Sequence, residues 1–418
     1  MIEPIDLIVI VLGLAVLVGC INHLWIGLPP TIGMLLGSLF ISLLIVSSDH
    51  VFHLHIMRWF RATFDSAHLP NVFLDGVLAL LLFAGSLHAD VLELSQRRWT
   101  ILFLATASVI LSTLVFGASL WAVSNLIGAS VPPAWCFVLG AILAPTDAVA
   151  VDNLLRQTAL SPELRAAMVG ESLFNDGAGV VLFLLALGVT QGETVVLGHG
   201  TVMLALLREI IGGIGFGLVA GWLAALLIRR VRDEGLQLLI SLTLALGCYR
   251  VAIAVDLSGP ISVVTAGLCM ASRSPRLGMG DTARVALAGF WSLLDQILNT
   301  ILFLLIGLQL LGLYLPTIGL LPFVFAIPLA VFSRFISVAV PLSLTREPAS
   351  NKVRDIAILT WAGLRGGISI ALALTLPVTP WRGELLMATY MVVIFTIVVQ
   401  GLTIPRLLRA VHRSEKLQ

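Results

Sequence analysis

Charge is scarce in this chain. Only 11% of the 418 residues are Asp, Glu, Lys or Arg, where a soluble domain carries about a quarter. That shortage argues against an ordinary solvated surface. Strict alternation of apolar and polar residues is also missing, which argues against a membrane β-barrel. Cysteine is sparse. Cys20, Cys136, Cys248 and Cys269 all lie in apolar runs, at spacings that fit neither a disulfide framework nor a zinc site. They read as small buried hydrophobes. Basic residues are missing from the first stretch, MIEPIDLIVIVLGLAVLVG, where a secretory leader would carry them, so it reads as a retained first span. A polar stretch long enough for a soluble domain is also lacking.

What is abundant is apolar sequence. Hydrophobic residues make up 59% of the chain, in runs of about 18 or more, the length of membrane-crossing helices. Thirteen spans are predicted: 5–22, 31–47, 70–90, 100–127, 133–154, 164–189, 203–230, 235–256, 258–272, 285–312, 316–343, 353–376 and 383–410. The fold class is therefore an all-α polytopic membrane protein. Loop 48–69 holds His50, His53, His55, Trp59, Phe60 and His68, which suits an interfacial helix better than a metal site.

Lys and Arg orient the spans. One side holds Arg97-Arg98, Arg156, Arg165, Arg229, Arg230, Arg232, Arg273, Arg276, Arg284, Arg346, Lys352, Arg354 and the tail. The other side holds only Arg58, Arg61 and Arg382. By the positive-inside rule the N-terminus is outside and the C-terminus cytoplasmic. Spans 1–6 and 8–13 can be paired as two inverted repeats with span 7 as linker. Spans 5 and 12 then correspond, and both carry helix-disrupting motifs: Pro145-Thr146-Asp147 and Gly363-Leu364-Arg365-Gly366-Gly367. Interrupted spans at matching positions point to a binding site where they cross at the midplane.

The acids concentrate there. The stretch GAILAPTDAVAVDNLLRQTALSPELRAAMVGESLFNDGAGV places Asp147, Asp152, Glu171 and Asp176 among apolar residues. Carboxylates at membrane depth are expensive, and function is the default explanation. Pro145 frees backbone carbonyls, which must find partners or bind a cation. Thr146 and Asp147 add a hydroxyl and a carboxylate. Ser172 and Asp176 share one helix face, Glu171 and Asn175 another. Gly170, Gly177 and Gly179 permit close approach of a second helix. Asp176 is the candidate to hold either a proton or a metal ion, and the oxygens of Thr146 and Asp147 suit a hard cation such as sodium. The bland alternative is a structural acceptor. Glu171 is expected to pair with Arg365 and brace spans 6 and 12. Asp152 reads as a helix-end residue, and Asp295 as part of a network with Arg334 or Arg250.

The segments APTDAVAV, GESLFNDGAGVVLF, LNTILFLLIGLQL and GLRGGISIALALTLP resemble the signatures of the first monovalent cation:proton antiporter family, which includes the NhaP-type sodium/proton antiporters. The resemblance covers essentially the whole chain. It implies secondary active exchange of protons for sodium or lithium, by alternating access and electroneutrally, in place of enzyme chemistry. The transported ions are then the substrates, with no cofactor and no nucleic-acid partner. It implies a homodimer in lipid, with a dimer domain from spans in 1–95 and 200–314 and a core domain from spans in 98–192 and 315–418. On matching positions Asp176 is the ion carboxylate and Asn175 its partner. Ser172, Thr146 and Asp147 complete the shell, and Glu171 with Arg365 forms the stabilising pair. One position departs: an acid common in span 3 of relatives is here Ala84 in LLLFAGSLHAD. Potassium/proton exchange, a cation channel and a non-transporting sensor are the rival readings. The short tail after about residue 410 favours a prokaryotic inner membrane.

Overall fold

The computed structural model describes residues 4–52, 76–129, 131–147, 162–192, 199–273, 281–309, 321–343 and 349–415. Continuous apolar runs facing lipid must satisfy every backbone polar group within the segment, which selects helices. Among the described residues every regular element is indeed helical. Those that frame the site are α1 (Pro4–Ile21), α2 (Pro30–Phe52), α3 (Leu78–His88), α4 (Ala107–Leu126), α5 (Pro133–Ile142), α6 (Pro162–Gln191), α7 (His199–Arg230) and α8 (Glu234–Ala254). There follow α9 (Gly259–Arg273), α10 (Asp281–Leu308), α11 (Ala326–Ser343), α12 (Ala349–Trp361), α13 (Gly367–Leu374), α14 (Arg382–Phe395) and α15 (Gly401–Glu415).

Each of the thirteen expected spans contains at least one of these helices. Nine described helical stretches are long and apolar enough to cross a membrane alone. The chain is a multi-pass helical membrane protein. Large apolar side chains such as Val16, Leu114 and Val219 lie exposed along its helices, as the surface of a membrane-embedded chain requires. The His- and aromatic-rich loop lies largely outside the described residues, as does Asp152.

Local chemistry sets the ends. Pro133 opens α5 in the first helical turn, where its missing amide costs nothing. Asp90 Oδ1 accepts from the Leu92 and Glu93 amides at 2.9 and 3.3 Å. Asp233 Oδ1 caps α8 through the Leu236 amide at 2.7 Å. Asp90 thus caps the short helix Val91–Gln96.

Two apolar clusters form. One joins α3, α7, α8, α9 and the first half of α10, with Leu173 of α6 inserted. The other joins α1, α2, the end of α10 and α4–α6 with α11–α15. On α2 the Ser42 hydroxyl donates to the Gly307 carbonyl of α10 at 2.9 Å. Span 5 breaks after Ile142, and span 12 breaks between Trp361 and Gly367. The two breaks meet: the Asp147 amide donates to the Leu364 carbonyl at 2.8 Å.

Candidate functional site

The site grows from that meeting point. α6 runs unbroken beside the span 5 break and presents Glu171, Ser172, Asn175 and Asp176, all buried. Thr146 is the hub. Its carbonyl accepts from Ser172 Oγ at 2.9 Å, and its hydroxyl accepts from Asn175 Nδ2 at 2.7 Å. The sequence placed these residues on two faces of one helix. The structure draws both faces to one threonine, because the break in span 5 lies against α6. Glycine makes the approach: a Cβ on Gly179 would sit 2.2 Å from Pro145 Cγ.

Asp147 packs against Gly366, where a Cβ would meet its Oδ2 at 2.1 Å. Asp147, Thr146, Ser172 and Asp176 line one cavity. Leu78, Leu81, Leu82 and Gly85 of α3 form its apolar wall. Asn299 and Leu302 come from α10, and Ile368 and Ser369 from the start of α13. Asp176 is 6% exposed and has no hydrogen-bond or ion-pair partner among the described residues. Its oxygens are therefore open to a proton or a cation. Asn175 is placed differently from a direct Asp176 partner: its amide is committed to Thr146, and its Oδ1 finds no partner among the described residues.

The expected Glu171–Arg365 pair does not form. Glu171 is held bidentately by Arg334 of α11, Nη1 to Oε1 and Nη2 to Oε2, the latter at 3.0 Å. Arg334 also donates through Nε and Nη2 to the Leu359 carbonyl of α12, at 3.3 and 3.2 Å. Gly363 leaves room for this, since a Cβ there would lie 2.5 Å from Arg334 Nε. Arg365 instead donates Nη1 to the carbonyls of Ala144 and of Pro145, the second at 2.9 Å. Its own amide donates to Thr396 Oγ1 at 3.1 Å, in the π-type turn joining α14 and α15.

The physical reason is supply. The span 5 break orphans carbonyls that need a donor at depth, and one guanidinium nitrogen of Arg365 serves two of them. So the carbonyls of Ala144 and Pro145 at the break already have a partner. With its guanidinium on Glu171 and Leu359, Arg334 does not pair with Asp295 either. Asp295 accepts from Asn299 Nδ2 at 3.1 Å.

Sequence reasoning missed Arg334 as the brace, and Asn299 and Ser369 as cavity residues. A lone arginine within an apolar span was the available signal for the first. Ala84 is fully buried in α3 beside the wall-forming residues but is not part of the cavity lining. Among the described residues no group of three or more His, Cys, Asp or Glu is placed to hold a metal ion. The donors gathered here are hydroxyl, carbonyl and carboxylate oxygens, which suit a hard cation.

Comparisons with known proteins agree with this architecture. A family model described as "Sodium/hydrogen exchanger, transmembrane" matches residues 11–410. The chain is 35% identical to the Na(+)/H(+) antiporter NhaP of Pseudomonas aeruginosa, over 99% of this chain and 98% of that one. It is 30% identical to the Na(+)/H(+) antiporter NhaH of Halobacillus dabanensis, over 91% of each. The solved structure of the sodium proton antiporter MjNhaP1 from Methanocaldococcus jannaschii superimposes with a TM-score of 0.73 at 20% identity, covering 97% of both chains.

Proposed function

The chain belongs to the sodium/hydrogen exchanger family, and from that premise we propose that it exchanges protons for sodium, or lithium, across its membrane by alternating access. The observation that carries the reading is Asp176. It is a buried acid without a basic partner, facing a cavity that also holds Thr146, Asp147 and Ser172. The buried arginines beside it are committed elsewhere, Arg334 to Glu171 and Arg365 to backbone carbonyls.

A bare carboxylate in such a place is costly, and a proton or a cation relieves the cost. Both cannot occupy the same oxygens, so they compete. Binding from one side and release to the other then couples the two fluxes. In this reading Asp176 carries the proton or ion. Ser172 and Thr146 supply neutral oxygens, Asp147 adds charge at the rim, and Asn175 fixes the Thr146 hydroxyl. Because one carboxylate alternates, one proton exchanges per cation, and turnover is electroneutral.

We assign spans 4–6 and 11–13 to a moving core and spans 1–3 and 7–10 to a dimer-forming scaffold. The separate cluster of α3 and α7–α9 supports the scaffold assignment of those helices, while α1, α2 and the end of α10 pack against the core helices. The positive-inside bias supports an outside N-terminus and a cytoplasmic C-terminus, in a bacterial inner membrane.

The test is proton movement in proteoliposomes under a pH gradient, on adding sodium, lithium, potassium or choline. Wild type should respond to sodium and lithium, whatever the membrane potential. Asp176→Asn should fold and show no exchange. Cation-coupled proton movement retained in that variant would overturn the assignment. A potassium response would keep the mechanism and change the cargo.

A further inference from the structure

Asn299 lies on α10, in the cavity wall across from the span 5 break, and is 4% exposed. Its Nδ2 donates twice to Asp295 one turn earlier: to the backbone carbonyl at 2.9 Å and to Oδ1 at 3.1 Å. Both partners are acceptors. The reverse orientation would turn the amide oxygen onto two other oxygens, so Asp295 fixes which way the amide faces. Oδ1 is left with no hydrogen-bond partner among the described residues. With Nδ2 committed to Asp295 and Asn299 lining the cavity, Oδ1 is the amide atom free to accept from what enters there. The same cavity holds Asp176, Thr146 and Ser172.

We infer that Asn299 gives Oδ1 to the transported cation, and that Asp295 is the positioning residue that aims it. The inference rests on exchange at Asp176. A neutral oxygen adds coordination without adding charge, so it raises cation affinity and leaves the one-for-one exchange unaltered. It also comes from α10, outside the framework of α5 and α6 that holds Asp176. Sliding of that framework past α10 would make or break this one ligand, giving the two access states different affinities for the ion.

The experiment measures sodium and lithium dependence of exchange in proteoliposomes for wild type, Asn299→Ala and Asp295→Ala. Asn299→Ala is expected to raise the apparent KM for sodium about tenfold, with turnover at saturating sodium within about twofold of wild type. Asp295→Ala removes one of the two acceptors and keeps the backbone carbonyl, so it should shift KM the same way by a smaller amount, while Asp295→Asn, which keeps an acceptor oxygen, should recover most of the affinity. Sodium-dependent rise of the Tm in detergent gives a second reading of binding that needs no turnover, and both alanine variants should require more sodium for the same rise. An unchanged KM and an unchanged sodium-dependent Tm in Asn299→Ala would overturn the inference. Loss of all sodium response in wild type, or exchange surviving in Asp176→Asn, would instead sink the reading beneath it.

Discussion

Asp176 and Glu171 are five residues apart on one helix and have opposite fates. Glu171 is closed into a bidentate pair by Arg334, and Asp176 is left open to the cavity. Removing one member of a buried pair strands the other charge, at a cost of about 3–5 kcal/mol. Arg334→Met should therefore lower the Tm in detergent sharply and reduce the yield of folded protein. The double variant Glu171→Gln with Arg334→Met should recover much of that loss, since no charge is then stranded. Asp176→Asn should leave the Tm near or above wild type, because it removes an uncompensated acid. Ser172→Ala deletes one buried hydrogen bond to Thr146, worth about 1 kcal/mol. It should weaken sodium dependence more than it lowers the Tm. The acids themselves were legible by residue type and depth. Their partners were not, because spacing along α6 says which side chains share a face and nothing about the helix across from it. Arg334 and Arg365 are equal candidates until the breaks are placed in space.

At the scale of elements, the two broken spans hold each other open. The break in span 5 would leave carbonyls unsatisfied, and Arg365 from the break in span 12 donates to two of them. The Asp147 amide returns a bond to Leu364. Neither break is stable at membrane depth without the other. Gly366 and Gly179 are the points of closest approach. Gly366→Ala puts a methyl 2.6 Å from Asp147 Cβ and 2.1 Å from its Oδ2. Overpacking of this kind costs about 1–3 kcal/mol. The expected outcome is a folded but slow exchanger, read as a fall in turnover with a modest fall in Tm. Gly179→Ala should act alike by pushing Pro145 off α6. Pro145 and the Gly363–Gly367 cluster were visible as interruptions in the sequence. That the interruptions exchange hydrogen bonds was not, because the donors and acceptors lie more than 200 positions apart in the chain.

Over the whole molecule, orientation and coupling are the testable quantities. A variant lacking Cys20, Cys136, Cys248 and Cys269 tolerates single new cysteines best where side chains are already exposed, as at Arg230. Arg230→Cys should react with an impermeant maleimide only from the cytoplasmic side, and Arg382→Cys only from outside. Labelling of both from one face would overturn the topology. Wild-type exchange should not change when the membrane potential is altered at fixed pH and sodium gradients. A potential-dependent rate would mean more than one charge moves per cation.

Residue type and order alone dictate much of this protein. Long apolar runs in lipid leave helix as the only way to satisfy the backbone, so the helical class follows from composition. Lys and Arg gather at one set of loops, so counting them yields the orientation that the labelling experiment tests. An acid placed at depth needs a reason, so Asp147, Glu171 and Asp176 stand out unaided. Packing decided the rest. Which arginine meets Glu171, which carbonyls Arg365 holds, and that Asn299 of α10 reaches the same cavity as Asp176 all depend on contacts between helices distant in the chain. Such contacts are selected by shape and by the hydrogen bonds each break leaves open, and neither is written in the local order of residues.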